Sequence, residues 1–225
     1  MASRWSAENA AKAYISTLNM GNEAKSKEID LDESQFISAL AAGYNARLMV
    51  VACADGLDLT AVALAAAARQ TGGRVICILR GHDQIEPSKH VLGLYESDIN
   101  NVEFMVGEVG EILLNDDDVS RADFVAIDCN LQNHGEIIQA LMMEERRVKD
   151  MFVLAYNYGF IGGSSSAGKW GGGVRVRLLP IGGGLMMARV KKAKKNIGVG
   201  RSNWVVAVDK ITGEEHAYRI TSPNN

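Results

Sequence analysis

The chain has 225 residues, of which 47% are hydrophobic and 23% are charged, and its formal net charge at pH 7 is −3. This length suffices for one α/β domain with a sizeable core, and the small net charge gives no global field that would favour nucleic acid or an anionic membrane. No apolar run reaches about 18 residues, and the N-terminus lacks the layout of a secretion signal. We therefore expect a cytoplasmic protein that does not cross a membrane.

Cysteine and histidine usage argues against disulfides and metal clusters. The three cysteines, Cys53, Cys77 and Cys129, are odd in number, and each lies in or just after an apolar run that suits a strand. Free buried thiols in a reducing compartment are the favoured interpretation. The four histidines are scattered without the spacing of metal ligands.

The first 45 residues are predicted to be helical. One helix begins at Trp5 and Ser6, with Ser6 as its N-cap, and a second spans residues 34–44 with an apolar stripe along one face. The polar and charged residues 19–32 between them are typical of a loop.

A strand–turn–helix–strand unit follows, and the rest of the chain is organised around it. The apolar residues 48–53 suit a buried strand, residues 54–56 a turn, and the alanine-rich residues 57–70 a helix. Gly72 and its glycine neighbour end this helix, and residues 75–79 form the next strand. This is the parallel crossover unit of an α/β fold, in which ligands bind outside the carboxyl ends of the strands.

The later segments continue this alternation and then change it. The pattern predicts helices over residues 88–98, 109–114 and 135–149, a loop over 81–87, and strands over 102–106, 122–128 and 151–155. A glycine- and serine-rich loop over 159–173 precedes two hairpins, one pairing 174–179 with 185–190 and the other pairing 204–208 with 216–220. The predicted fold class is α/β, with a mostly parallel sheet that ends in an antiparallel hairpin and an extra C-terminal hairpin. We expect a single domain over residues 1–225, with a helical N-terminal part (1–45), a core (46–190) and the C-terminal hairpin (200–220).

This layout resembles the Rossmann-like class I fold of S-adenosylmethionine-dependent methyltransferases, and more narrowly the metal-dependent catechol and caffeoyl-CoA O-methyltransferases. The segments that carry the resemblance lie within residues 34–190 and read VVACADGLDLTAVALA, ADFVAIDCNLQNH, VLAYNYG and VRVRLLPIGGGLMMARV. The opening WSAENAAKAYI and the ending RSNWVVAVDKITGEEHAYRI resemble a plant family of unknown function described only as methyltransferase-like. The resemblance implies a fold, without an established activity.

S-adenosylmethionine is the cofactor that the resemblance implies, at the carboxyl ends of the strands. Family members carry Glu-x-Gly-x-x-x-Gly at the first turn, where this chain has Val50 and Ala52 and keeps only Gly56. The ribose-binding carboxylate of the family, after the second strand, is replaced by Leu79 and Arg80. The candidate cofactor-binding residues are Ala52, Ala54, Gly56, Asp58, Leu79, Arg80, Gly107 and Asp128.

The metal site of the catechol-type enzymes is matched only in part. Asp128 matches the first metal carboxylate, Leu131 stands where the family has a catalytic lysine, and the later Asp-Asn pair falls within Tyr156-Asn157-Tyr158. One carboxylate and one amide suit Mg²⁺ poorly, so we expect no metal. Asp128 is equally well interpreted as a strand-end residue that caps a neighbouring turn, and Asp58 as a helix N-cap.

Two further motifs suggest other ligands. The segment GSSSAGK over residues 163–169 approaches a phosphate-binding loop, but Trp170 replaces the required Ser or Thr. We interpret residues 159–173 as a flap over the pocket, with Trp170 as a lid residue. The basic residues 191–195 would suit RNA or an acidic partner, although a solvated loop is the favoured interpretation.

Three functional hypotheses stay open. The favoured one is a methyltransferase-like protein with degenerate cofactor and metal sites that binds a small molecule in the strand-end cleft, or a partner. The second is an active S-adenosylmethionine-dependent small-molecule methyltransferase. The third is a nucleotide- or RNA-binding module that uses Arg80, Lys169 and the basic run, which the net charge does not support. A homodimer is also left open.

The composition of the cleft predicts its ligand. Val50 and Leu79 would make its floor apolar, and three aspartates, Asp55, Asp58 and Asp128, would make its rim acidic. Such a cleft would favour a neutral or cationic molecule over phosphates and free carboxylates. Its expected stacking surfaces are Tyr156, Tyr158 and Trp170.

Overall fold

The computed structural model describes residues 5–23, 31–95, 101–143, 149–159 and 174–192, and the backbone of two strands at 203–208 and 215–220. The backbone divides into two compact units, Met1–Ala193 and Lys194–Asn225. The predicted flap beyond residue 159, with Lys169 and Trp170, lies outside the described residues, as does the basic run after residue 192. That the chain forms one domain stays a prediction.

The described part of the larger unit consists of helices on both faces of one sheet. Its α-helices are α1 (Ala7–Glu23), α2 (Leu31–Gly43), α3 (Leu59–Thr71), α4 (Ile85–Leu94), α5 (Val109–Asn115) and α6 (His134–Met143). Its strands are β1 (Leu48–Ala52), β2 (Arg74–Leu79), β3 (Val102–Val106), β4 (Phe124–Asp128), β5 (Met151–Tyr156), β6 (Val176–Leu179) and β7 (Leu185–Val190). In the smaller unit, β8 (Asn203–Val208) pairs antiparallel with β9 (Glu215–Ile220), as the sequence predicts.

The strand order of the sheet is β3-β2-β1-β4-β5-β7-β6. Strands β1 to β5 pair in parallel, whereas β7 runs antiparallel to both β5 and β6. The α/β class and the antiparallel hairpin at one edge of a parallel sheet are therefore confirmed. Since β7 is antiparallel to β5, the turn between β6 and β7 lies at the carboxyl edge of the parallel strands.

Two apolar layers cover the sheet. One contains Ile37 of α2, Leu64 of α3 and Leu92 of α4, and the other contains Leu113 of α5 and Leu141 of α6. Full burial of an aliphatic side chain of this size contributes about 1.5–3 kcal/mol. These layers hold the strands in register and so fix which residues meet at the carboxyl edge.

The alanine-rich sequence of α3 has a packing reason. All nine residues from Thr60 to Ala68 are buried, so this helix is enclosed on every side and not only along one stripe. Alanine gives high helix propensity with little volume, which lets α3 lie close to the sheet and to α1 and α2. Gly72 ends the helix with φ of 64°, the left-handed conformation that the sequence predicts.

Three predicted boundaries are wrong. Helix α1 continues to Glu23 and α2 begins at Leu31, so residues 19–23 and 31–32 are helical and not loop. Residues 81–87 are not a loop either, because a 3₁₀ turn at His82–Gln84 leads into α4 from Ile85. Pro87 does not oppose this, since it lies in the first helical turn, where a backbone N–H needs no partner.

No helix in the described ranges combines the length and the apolar character that a membrane crossing requires.

Gly184, at the end of the β6–β7 turn, has φ of +96°. Its N–H donates to the Ile181 carbonyl at 2.9 Å, and its own carbonyl accepts from the Tyr158 N–H at 3.0 Å. We predict that Gly184→Ala lowers the free energy of unfolding by about 1–3 kcal/mol, because a side chain is strained at this φ. Gly135→Ala in α6 is the control, since an added Cβ there meets no atom within 4 Å. Urea denaturation that finds both variants equally stable would contradict the strain argument.

Candidate functional site

Asp128, the last residue of β4, connects three segments at the carboxyl edge of the sheet. Its Oδ1 accepts from the Asn130 N–H at 3.0 Å and from Asn157 Nδ2 at 2.9 Å, and its Oδ2 accepts from the Ala54 N–H at 3.4 Å. The side chain is buried, with 5% of the residue exposed. Hydrogen bonds to a charged group contribute about 1.5–3 kcal/mol each when well formed. The interpretation of Asp128 as a cap for neighbouring turns is confirmed.

Asn157 reaches Asp128 because the chain leaves β5 in an unusual conformation. Asn157 has φ of 55°, a region that asparagine enters more readily than most non-glycine residues. In this conformation its side-chain amide points back to the β4 carboxylate. Asn157 matches a metal ligand in the pattern of the catechol-type enzymes, but here its amide nitrogen donates to Asp128. The backbone of Asn157 was not predicted from the sequence; an asparagine just after a buried strand is the signal from which a left-handed residue could have been predicted.

The first turn, between β1 and α3, is held from both sides. Gly56 has φ of +100°, which only glycine adopts without strain. Asp58 caps α3 by accepting from the Ala61 N–H at 3.1 Å, as the N-cap interpretation predicts. The Leu57 N–H donates to Oγ of the buried Ser88 in α4, at 3.1 Å. Ser88 was missed by sequence reasoning, because no local pattern connects it with a turn 31 residues earlier.

A small polar cluster lies beneath this turn. The Tyr156 hydroxyl is fully buried and makes no hydrogen bond of standard geometry, but it lies near enough to the Asp58 carboxylate for each to act on the other's pKa. Burial raises the pKa of Asp58, and the tyrosine hydroxyl and helix amides offset this only in part. Burial, followed by the negative charge of Asp58, raises the pKa of Tyr156 well above its usual range.

The thiols are free, as predicted, and are not poised for chemistry. Cys53 and Cys77 lie side by side with 3.6 Å between their sulfur atoms. The contact with Cys77 and burial raise the pKa of Cys53 well above its usual range. Burial and the charge of Asp128 raise the pKa of Cys129 to about 12. Because the thiolate is the reactive form, neither Cys53 nor Cys129 is activated as a nucleophile near neutral pH.

The end of β2 differs from a ribose-binding site of the kind that the resemblance implies. Leu79 is fully buried, and the exposed Arg80 donates its backbone N–H to Oε1 of Gln84 at 3.0 Å. Asp83, the carboxylate nearest along this segment, lies against the backbone of Gly81. The side chain that follows β2 directly is therefore a cation.

The end of β3 carries a carboxylate that is already engaged. Glu108 caps α5 by accepting from the Glu111 N–H at 2.6 Å, and its other oxygen accepts from Asn133 Nδ2 at 2.9 Å. The helix amide, more than the asparagine, lowers the pKa of Glu108. Gly107 is tied to Leu79 by a backbone hydrogen bond of 3.1 Å, which aligns the ends of β2 and β3.

The eight candidate cofactor-binding residues all lie at or beside this carboxyl edge, but they differ in accessibility. Four are buried: Ala52, Ala54, Leu79 and Asp128. Three are partly exposed, Gly56, Asp58 and Gly107, and Arg80 is exposed. Their role in binding a cofactor stays a prediction.

Three expectations about the lining of the cleft are wrong. Val50 and Leu79 are fully buried in opposite apolar layers, so they offer a ligand no accessible floor. Asp128 is held by protein donors below the surface and is not part of the rim. Tyr156 is 2% exposed and cannot serve as a stacking surface, whereas Tyr158 is partly exposed.

Leu131, at the position of the family's catalytic lysine, is 4% exposed and belongs to the apolar layer that contains α5 and α6. Within the residues that the structure describes, no group of three or more His, Cys, Asp or Glu side chains is arranged to hold a metal ion. Asp128 and Asn157 meet, but as acceptor and donor of one hydrogen bond.

The family described as a protein of unknown function (DUF1442) matches residues 1–220. The chain belongs to the DUF1442 family. A search of the curated proteins found no match.

Solved structures share the fold of this DUF1442 protein. Cofactor-bound Rv0187 from MTB has 19% sequence identity and a TM-score of 0.57, covering 80% of this chain and 90% of that one. The O-methyltransferase from Bacillus cereus, solved with SAH, has 16% identity and a TM-score of 0.56, covering 82% and 91%. The O-methyltransferase TomG from Streptomyces achromogenes, solved with SAM, has 17% identity and a TM-score of 0.54, covering 80% and 90%. At these identities the likeness establishes a Rossmann-like methyltransferase fold.

Asp58 provides a test of the polar cluster. Its raised pKa means that the folded protein binds this proton more tightly than the unfolded chain does, so the wild type loses stability as pH rises from about 4 towards its folded pKa. Asparagine keeps the cap without the buried charge. We expect Asp58→Asn to match or exceed the wild type in unfolding free energy at pH 7, and Asp58→Ala to lose about 1 kcal/mol.

Urea titrations of the two Asp58 variants at pH 4 and pH 7 measure this difference. The advantage of Asp58→Asn over the wild type should grow with pH. Equal losses in both variants at pH 7 would contradict the proposed origin of the pKa shift.

Asp128 provides a second test, which separates a structural carboxylate from a metal ligand. Since Asp128 accepts from three donors, the NH₂ group of Asp128→Asn would face at least one of them. We predict a loss of about 1–3 kcal/mol in unfolding free energy, with Asp55→Asn, on the exposed part of the first turn, as the unaffected control. Millimolar Mg²⁺ or Ca²⁺ should leave the melting temperature of the wild type unchanged. A rise that disappears in Asp128→Asn would instead establish a metal site.

Proposed function

We propose that this DUF1442 protein uses the methyltransferase fold to bind a small molecule at the carboxyl edge of its sheet, with degenerate S-adenosylmethionine and metal sites. The observation that carries the proposal is the state of Asp128. Its carboxylate, which matches the metal-binding position of the resembling enzymes, accepts hydrogen bonds from Ala54, Asn130 and Asn157. The position of the catalytic lysine holds Leu131, which is part of the core.

The residues present fit S-adenosylmethionine only in part. The first turn keeps Gly56, and a glycine there would suit the close approach of a ligand. At the end of β2, however, Leu79 is buried and Arg80 cannot accept the hydrogen bonds of ribose hydroxyls. When bound, S-adenosylmethionine would supply an electrophilic methyl group.

The charge at this edge supports a neutral or cationic ligand. The residues that supply this charge differ from those expected from the sequence. Because Asp128 is buried, it does not contribute to the charge of the accessible surface. The exposed Asp55 and the partly exposed Asp58 give this edge its acidic character. Arg80 opposes them at the end of β2. Tyr158, which is partly exposed beside the β6–β7 turn, supplies an aromatic surface for the ligand body.

Isothermal calorimetry with S-adenosylmethionine and S-adenosylhomocysteine tests the proposal. We expect dissociation constants weaker than about 10 μM, which corresponds to a binding free energy no better than about −7 kcal/mol. Tighter binding of both ligands would favour the second hypothesis, an active small-molecule methyltransferase whose cofactor-binding residues differ from those of the family.

Arg80 makes the same experiment more specific. Arg80→Glu would place an exposed carboxylate after β2, and we expect it to tighten the binding of S-adenosylhomocysteine about tenfold through hydrogen bonds to ribose. Arg80→Gln removes the cation without adding the carboxylate and should have a smaller effect. If both variants bind S-adenosylhomocysteine with equal affinity, the absence of a ribose-binding carboxylate at this position does not limit cofactor binding.

A further inference from the structure

A concave site lies between the N-terminal helices and the β6–β7 turn. Its volume is about 400 Å³, within the range of about 300–1,000 Å³ that is typical of small-molecule sites. Helix α1 contributes Tyr14, helix α2 contributes Gln35, Phe36 and Ala39, and the turn contributes Pro180 and Ile181. This pocket, the α1–α2 pocket, contains none of the candidate residues of the strand-end cleft.

The walls of the α1–α2 pocket are held in place by polar contacts behind them. Thr17 Oγ1 of α1 lies 2.9 Å from Ser38 Oγ of α2, and this pair is buried. On the other side, the Glu33 carboxylate of α2 accepts from the Gly183 N–H of the turn at 2.9 Å. A side chain at Gly182 would collide with Glu33, so helix and turn are in close contact. The pocket is therefore formed before any ligand arrives.

Gln35 is the polar group of this pocket. The residue is 3% exposed, its backbone carbonyl accepts from Ser38 Oγ at 3.0 Å, and it lines the pocket. A glutamine side chain offers a ligand in the pocket both an amide oxygen that accepts and an NH₂ group that donates. A ligand that both accepts from and donates to this amide would pair with it.

The other lining groups define the rest of the ligand. Phe36 and Tyr14 offer aromatic faces, Ile181 and Pro180 offer apolar surface, and no lining residue in the described ranges carries a formal charge. The nearby Glu33 carboxylate is engaged by Gly183. A free carboxylate or phosphate would thus lose its hydration without a cation to replace it.

We propose that the α1–α2 pocket binds an uncharged planar molecule whose aromatic body packs on Phe36 and Tyr14 and whose amide or equivalent donor–acceptor group pairs with Gln35. The proposal does not depend on the ligand of the strand-end cleft. Failure of one therefore leaves the other in place, because S-adenosylhomocysteine calorimetry reports on the cleft.

Matched naphthalene probes test the α1–α2 pocket by ¹H–¹⁵N NMR titration of the full chain. We expect 2-naphthamide to bind with a dissociation constant below about 1 mM and to shift the signals of Phe36, Ala39 and Ile181. The anion 2-naphthoate should bind at least tenfold more weakly. Gln35→Leu, which keeps the side-chain volume, should weaken 2-naphthamide about three- to tenfold, the effect of one or two neutral hydrogen bonds.

Ala39→Phe fills the pocket from the partly exposed face of α2 and should abolish the binding of 2-naphthamide. This variant keeps the test valid if Gln35→Leu folds poorly. The proposal is overturned if 2-naphthamide fails to bind at 1 mM or binds Ala39→Phe unchanged. It is equally overturned if 2-naphthoate binds as well as the amide, or if Gln35→Leu leaves the affinity unaltered.

Discussion

The arrangement of the carboxyl edge depends on one buried carboxylate. Beyond the backbone hydrogen bonds at the strand ends, a side chain joins the segments that follow β1, β4 and β5. Asp128 supplies this side chain, which accepts from the first turn, from its own turn and from the residue after β5. In the low dielectric of a buried site these interactions are strong, and loss of the acceptor would leave donors unsatisfied. The same three donors fix the orientation of this carboxylate at the end of β4.

From Asp128 a continuous line of contacts leads to the N-terminal helices. Asn157 donates to Asp128, and a side chain added at Gly183 would lie 2.9 Å from the Asn157 Oδ1. Gly183 in turn donates to Glu33 of α2. The β6–β7 turn is thus confined between a residue on one side and a helix on the other. Its consecutive glycines are explained by this lack of room as much as by the φ of Gly184.

Local signals were sufficient for much of this fold. Each of three features involves only neighbouring residues and was predictable from the sequence: the apolar run of β1, the alanines of α3 and the Asp58 cap. The hairpin that ends the sheet was predictable from two apolar segments around Pro180-Ile-Gly-Gly-Gly184. The start of α4 was predicted at residue 88, three residues late, although Pro87 in the first turn is compatible with a helix. The pairing of Glu33 with Gly183 spans 150 residues, and no local pattern encodes it.

The same limit explains why the candidate site was only partly predictable. Positions such as Asp128 and Leu131 can be aligned with a family pattern, but alignment does not say whether a side chain faces a ligand or the core. Leu131 packs into the layer that contains α5 and α6, where a lysine would have to bury its ammonium or disrupt the packing. Its replacement of a lysine is therefore tied to the stability of this layer. A Leu131→Lys substitution would introduce a charge into a buried apolar position of this layer.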